Sequence, residues 1–223
     1  MSAGNRIYHP VGQADMENLL AGQPFLVVRG QLIFRRDEEW VITGIHPGQH
    51  FTADEYRELP EGAPYQLINN ELMLMPSPFE RHQLVVGNLY MALTTHVRRH
   101  RLGAVRIAPM DVYLDENNVV QPDILFILEA RREVIANPIL GAPDLVVEVL
   151  SRATESLDRG PKRDLYARHG VQEYWIIDPE KQVVEVYTLQ AEALILNHIY
   201  PSGTIRSSLL AGFEVEMDTL FEA

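Results

Sequence analysis

Glu148 is the residue of this chain that most demands a chemical explanation. It interrupts Asp144-Leu-Val-Val-Glu-Val-Leu, a short and otherwise apolar run that reads as a central strand buried on both faces. Side chains two apart on a strand share a face, so Glu148 projects with Val146 and Leu150 into covered space, where a lone ionised carboxylate is costly. An arginine, a set of backbone donors, protonation or a metal ion could compensate it. Asp123 helps to choose among these. It opens the run Asp123-Ile-Leu-Phe-Ile-Leu just after Pro122, whose missing N–H suits a strand start or edge. If the two strands are neighbours, the two carboxylates meet at one end. Carboxylates that close repel each other unless a divalent cation lies between them. Mg²⁺, or Mn²⁺ in its place, suits such a site: it takes oxygen ligands, is held by one or two carboxylates, and keeps waters that can be oriented toward phosphorus.

Lys162 supplies a third part. It falls in the first turn of a helix predicted from about Asp158 to His169, so its ammonium can reach back over the C-terminal end of the Glu148 strand. There it could orient a water or neutralise charge developing on a phosphate. Tyr166, four residues on, shares that helical face. Asp144 is a rival partner for Glu148, since Pro143-Asp144 repeats the Pro-Asp pair. Four residues of strand separate them by about 13 Å at ~3.3 Å per residue, too far to share one ion. Asp144 is therefore expected to cap the strand or pair with a cation on the surface. An acid in a strand can also serve simply as the partner of an arginine, so spacing leaves Asp123 and Glu148 a candidate pair.

The elements that must position these groups are legible in outline. Thr52-Ala-Asp-Glu marks the start of a short helix ending near Pro60. Tyr65-Gln-Leu-Ile and Glu71-Leu-Met-Leu-Met flank Asn69-Asn70, which predicts a hairpin. Leu84, Val85, Leu89, Ala92, Leu93 and Val97 recur at helical spacing, predicting an amphipathic helix over residues 80–100. Val105 to Leu114 and Val119 to Leu128 read as two strands about the polar turn Asp115-Glu-Asn-Asn. After the Glu148 strand and its helix, Glu173-Tyr-Trp-Ile-Ile-Asp completes a strand, helix, strand order, and Val183–Leu189 with Ala193–Tyr200 add an antiparallel flank. Pro161 is acceptable in a first helical turn, and Gly170 stops the helix. The tail from Ser208 to Leu220 reads as a strand and a short helix. Residues 1–50 look separate: Phe25-Leu-Val-Val and Gln31-Leu-Ile-Phe-Arg-Arg about Arg29-Gly30 form a β-hairpin, with a third strand at Trp40–Ile45. This N-terminal extension would cover a sheet edge or offer a surface for a homodimer.

Composition sets bounds on these readings. At 223 residues one domain plus an extension is expected, and with no cysteine the chain has no disulfide, no thiolate zinc site and no cysteine nucleophile. The first residues lack a secretory pattern and no apolar run approaches the ~20 residues of a membrane span, which suits a cytoplasmic protein with no membrane partner. The net charge of −12 has the wrong sign for coating phosphate backbones by bulk electrostatics, so any contact with them must be a local basic groove.

Several ordered blocks together resemble the Uma family of restriction endonucleases, within the PD-(D/E)XK nuclease superfamily. They are Tyr65-Gln-Leu-Ile-Asn-Asn-Glu-Leu, Pro76-Ser-Pro with Arg81-His-Gln, Val120-Gln-Pro-Asp and Pro143-Asp-Leu-Val-Val-Glu-Val-Leu-Ser. The match continues through Asp158-Arg-Gly-Pro-Lys, Leu165-Tyr-Ala-Arg-His-Gly-Val and Glu173-Tyr-Trp-Ile-Ile-Asp-Pro, from about residue 51 to the end. The resemblance implies an α/β, restriction-endonuclease-like core over residues 51–223, with a mixed central β-sheet flanked by helices. It also implies a Mg²⁺-dependent endonuclease acting on DNA, with the metal at Asp123 and Glu148. The superfamily's lysine would fall at Leu150, so its role passes to Lys162. Glu71 resembles the additional acid such sites use, as a metal ligand, and His82 stands near the start of the long helix as a further catalytic candidate. Many relatives carry Glu where this chain has Gln66, which cannot ligate a metal as a charge.

Other conspicuous groups have simpler roles. Arg98, Arg99, His100 and Arg101 at a helix end complement its dipole, Trp175 belongs in the core, and Met73 and Met75 pack a strand. A catalytically inactive binding or accessory module on the same fold is the competing reading, because fold does not fix function.

Overall fold

The computed structural model of the protein describes residues 50–59, 63, 65–75 and 79–222, together with the backbone of three strands before them. Those strands, β1 (Phe25–Val28), β2 (Gln31–Arg36) and β3 (Glu39–Ile42), pair in antiparallel order β1-β2-β3, as the alternating sequence predicts. The expected turn at 29–30 and the expected end of the third strand, residues 43–45, lie outside the described residues.

The chain continues through α1 (Ala53–Arg57), β4 (Tyr65–Ile68), β5 (Glu71–Leu74) and the long α2 (Glu80–His100). Thr52 and Glu55 form a reciprocal capping box on α1. Asn69 and Asn70 take φ of 49° and 66°, the positive values a two-residue hairpin turn requires. Next come β6 (Gly103–Ile107), β7 (Val112–Asp115), β8 (Asn118–Val120) and β9 (Ile124–Leu128). Each of the two long strands expected here is thus broken in two. The breaks fall at Pro109 and Pro122, which have no N–H to give a ladder. A 3-10 segment (Glu129–Val134) and β10 (Ile139–Leu140) lead to β11 (Leu145–Val149).

α3 consists of Glu155–Leu157 and Arg163–Arg168 flanking a π-helical turn, Asp158–Lys162. It starts before the predicted Asp158 because Ser151 Oγ accepts the Thr154 N–H at 3.2 Å, opening the helix earlier. Pro161 therefore lies in the interior rather than the first turn, and the widened π turn absorbs a residue that cannot donate to the α-helical ladder. The remaining elements are β12 (Glu173–Asp178), β13 (Val183–Gln190), β14 (Ala193–Tyr200), β15 (Thr204–Arg206), β16 (Glu214–Glu216) and α4 (Met217–Phe221).

Two compact units emerge. One comprises the described residues up to 76 with 115–119, and in it β4 pairs with β5 and, through Leu67 and Val119, with β8. The other comprises residues 77–114 and 120–222 and is built on a six-stranded mixed sheet, β14-β13-β12-β11-β9-β6. Only β11 and β12 are parallel there, joined by the α3 crossover; every other neighbouring pair is antiparallel. Val85, Val86, Leu89, Leu93 and Val97 of α2 share one core with Leu145, Val147 and Val149 of β11 and with Trp175 and Ile177 of β12. Trp175 is thus core, as expected. Strand alternation sends Val146 and Glu148 to the opposite face, where the rings of Tyr166 on α3 and Tyr174 on β12 stand 5.3 Å apart. All of β11 is buried, so the layer under α3 is as covered as the layer under α2.

Candidate active site

The predicted anomaly in β11 is real: the Glu148 side chain is only 4% exposed. Its Oε1 accepts from Lys162 Nζ at 2.9 Å and from the Tyr166 hydroxyl at 2.7 Å, both donors reaching down from α3. Lys162 also stands 3.1 Å from Asp158 Oδ1, one helical turn back and equally buried. One ammonium thus lies among three carboxylates, those of Glu148, Asp158 and Asp123. Burial works to discharge Lys162, yet Asp158 and Glu148 outweigh it and hold its charge above the ordinary lysine range. Glu148 bears the imbalance. Burial, with Asp158 and Asp123, pushes it up to about 8 against the pull of Lys162 and Tyr166. Burial thus opposes the charge of Glu148, while the neighbouring acids favour that of Lys162. Burial, with Glu148 close by, also raises the Tyr166 hydroxyl well above its usual value.

Asp123 immediately precedes β9, and the antiparallel register Ile124↔Val147 brings it beside Glu148. Its Oδ2 accepts the Val149 N–H at 2.7 Å and faces His82 Nε2 at 3.1 Å. His82 sits in the first turn of α2 with Nδ1 buried and without a hydrogen-bond partner among the described residues. At 18% exposure the Asp123 side chain is the more open of the two acids.

Asp123, Glu148, Lys162, Tyr166 and His82 are thus linked by contacts at one end of the six-stranded sheet. Glu71 belongs to the other unit, at the start of β5, as does Gln66, whose Oε1 is buried without a hydrogen bond among the described residues. Asp144, just before β11, pairs with a cation as one of its two expected roles has it, but in the interior rather than on the surface. It is fully buried at the far end of β11, where Arg131 Nη1 at 2.7 Å, the Leu128 N–H at 2.8 Å and Gln172 Nε2 at 2.8 Å bind its carboxylate. The reason is positional: Asp144 meets the end of β9 and the residue before β12, which together offer enough donors to bury it. Sequence reading passed over Asp158 as a site residue. Its signal was the four-residue spacing to Lys162, which puts both on one helical face.

Among the described residues no group of three or more His, Asp or Glu side chains is arranged to hold a metal ion. A divalent ion nonetheless suits this end of the sheet. The described hydrogen bonds of the two acids all fall on Asp123 Oδ2 and Glu148 Oε1, leaving Asp123 Oδ1 and Glu148 Oε2 as acceptors. Among the described residues Asp158 Oδ1 is buried without a hydrogen bond, and the acids here outnumber the one ammonium. Mg²⁺ commonly takes only one or two carboxylates and completes its shell with water and substrate oxygens. A separate groove of about 510 Å³, lined by Arg163, Ala167, Tyr187 and Leu194, includes none of the site residues.

Comparison with known proteins bears on the fold and the family. The family model Uma2, "Putative restriction endonuclease", matches residues 53–218. A solved structure described as a "putative nuclease belonging to DUF820 from Anabaena variabilis ATCC 29413" is similar in fold, with a TM-score of 0.66 and 24% identity. The similarity covers 77% of this chain and 97% of that one. No curated protein matches the chain. Because that family model spans most of its length, the chain belongs to the Uma2 family.

Proposed function

We propose that this protein is a metal-dependent endonuclease that hydrolyses DNA phosphodiester bonds at the end of the sheet where Asp123 and Glu148 meet. The observation that carries the reading is the register of β9 on β11, which sets Asp123 beside Glu148 while Lys162 Nζ stands 2.9 Å from the same glutamate. Asp123 and Glu148 would hold Mg²⁺ or Mn²⁺, which when bound supplies Lewis acidity toward the phosphate and lowers the pKa of water. Lys162, buried like Tyr166, contributes a fixed positive charge that holds Glu148 and acts on negative charge developing at the scissile phosphate through the field rather than by contact. Tyr166, fully buried, orients Glu148 rather than touching DNA. His82 fixes the carboxylate plane of Asp123 through Oδ2. A homodimer would bring two such sites to the two strands of a duplex.

Plasmid DNA incubated with Mg²⁺ or Mn²⁺ tests the reading directly. Wild-type protein should nick or cut it and stop on chelation, whereas Asp123→Ala and Glu148→Ala should each lose on the order of 100-fold or more in rate. Cleavage that survives both substitutions would dismiss this site. A second reading, a non-catalytic module on the nuclease fold, draws support from the closed Lys162–Glu148 contact and from the absence of a three-ligand group among the described residues. It predicts no divalent-ion binding at all.

A further inference from the structure

We infer that Asp158 is a positioning residue which keeps Lys162 at the site when Glu148 is engaged by another positive charge; the functional consequence rests on the nuclease reading above. The ammonium of Lys162 lies between two buried carboxylates, 2.9 Å from Glu148 Oε1 and 3.1 Å from Asp158 Oδ1. Only the first contact has the geometry of a hydrogen bond. Asp158 Oδ1 is buried and has no hydrogen-bond partner among the described residues, although a cation stands within ion-pair distance of it. A buried acceptor in that state is costly, and a small turn of Nζ away from Glu148 would complete its bond. Asp158 is a second seat for the ammonium, already facing it.

The two seats differ in kind. Glu148 belongs to β11, so its contact with Lys162 crosses from helix to sheet. Asp158 and Lys162 open and close a single π turn, and the Asp158 carbonyl is held by the Tyr174 hydroxyl at 3.0 Å. A cation bound to Glu148 would draw off its charge and repel the ammonium. A fully buried ammonium left without an anion would then have to move or lose its proton. Among the described residues Lys162 is the only cation paired with Asp158, so the aspartate is free to take it up. Lys162 thereby stays charged and in place while Glu148 does other work.

The test follows the ammonium directly by ¹⁵N NMR of the full chain labelled at lysine, where a buried, hydrogen-bonded ammonium exchanges slowly enough to be seen. Wild type, Glu148→Gln, Asp158→Asn and the double variant are compared, with thermal melts as a folding control. The Lys162 signal should persist in each single variant and vanish in the double variant. Adding Mg²⁺ should leave it in wild type and erase it in Asp158→Asn. Loss of the signal in Glu148→Gln alone, or its survival in the double variant, overturns the inference, and loss in metal-free Asp158→Asn would make Asp158 the only holder and overturn it too. Should Glu148→Gln not fold, Glu148→Met, of similar volume, takes its place. The metal-free comparison stands even if wild type neither binds Mg²⁺ nor cuts DNA, a result that would sink the nuclease reading alone.

Discussion

Asp123 Oδ2 accepts the backbone N–H of Val149, the residue after Glu148, at 2.7 Å. Two acids of like charge are thus brought side by side by a main-chain contact, not by any attraction between them. Asp123→Asn keeps an oxygen for that N–H and should remain within about 1 kcal/mol of wild type, whereas Asp123→Ala orphans it and should cost about 1–3 kcal/mol. Both should lose divalent-ion binding. Urea unfolding beside calorimetric titration with Mn²⁺ separates the two effects, and equal stability of the variants would show that the bond contributes nothing.

The pH dependence of stability carries the signature of Glu148. Its folded-state value near 8 lies above the ordinary 4.5, so between those limits the native state holds a proton that the unfolded chain has released. Stability must therefore fall as pH rises from about 4.5 to about 8 and level off above. The raised value of Lys162 has no effect in that window, because its charge persists in both states until higher pH. Metal-free Glu148→Gln should lack this component, so its stability relative to wild type should improve steadily from pH 5 to pH 8. Urea melts across that range check it, and parallel profiles would mean that Glu148 titrates normally.

Tyr166→Phe removes one donor to Glu148 and little volume. We expect a loss of about 1–2 kcal/mol in stability and a several-fold weaker affinity for Mn²⁺, with the KM for DNA unchanged, because the hydroxyl is buried away from solvent. A rise in KM without a change in ion affinity would place Tyr166 against the substrate instead.

Glu173 tests the scaffold apart from the chemistry. Its buried carboxylate accepts from Trp175 Nε1 at 2.7 Å and from the N–H groups of Ser208 at 2.8 Å and Leu209 at 3.1 Å, with the Ser208 hydroxyl as a further donor. Glu173→Ala should cost on the order of 3 kcal/mol in urea unfolding, since several donors lose their acceptor at once. Divalent-ion binding by the folded fraction should persist, as Glu173 has no contact with Asp123, Glu148 or Lys162.

Local pattern carried the elements that depend on nearest neighbours. The apolar periodicity of residues 80–100, the Asn69-Asn70 turn and the acid inside an apolar strand were all legible, because each is written in residues a few positions apart. The start of α3 was misplaced because Ser151 and Thr154 settle it by a side-chain contact, after which Pro161 has to be absorbed within the helix. The long strands predicted about residue 115 were broken by prolines whose effect depends on whether a ladder partner needs the missing N–H.

By itself the sequence determined which groups could do chemistry: a carboxylate that has to be buried, a second one opening another strand, and a lysine on the helix between. Residue type and alternation settle that much, since they fix which face a side chain takes. The tertiary structure alone decided the partners. The register of β9 on β11 put Asp123 beside Glu148, the far strand ends offered Asp144 its own donors, and the π turn set Asp158 against Lys162. Each is a contact between segments that meet only in the folded chain or through an irregular turn, where burial makes every unpaired charge expensive and so selects its neighbours.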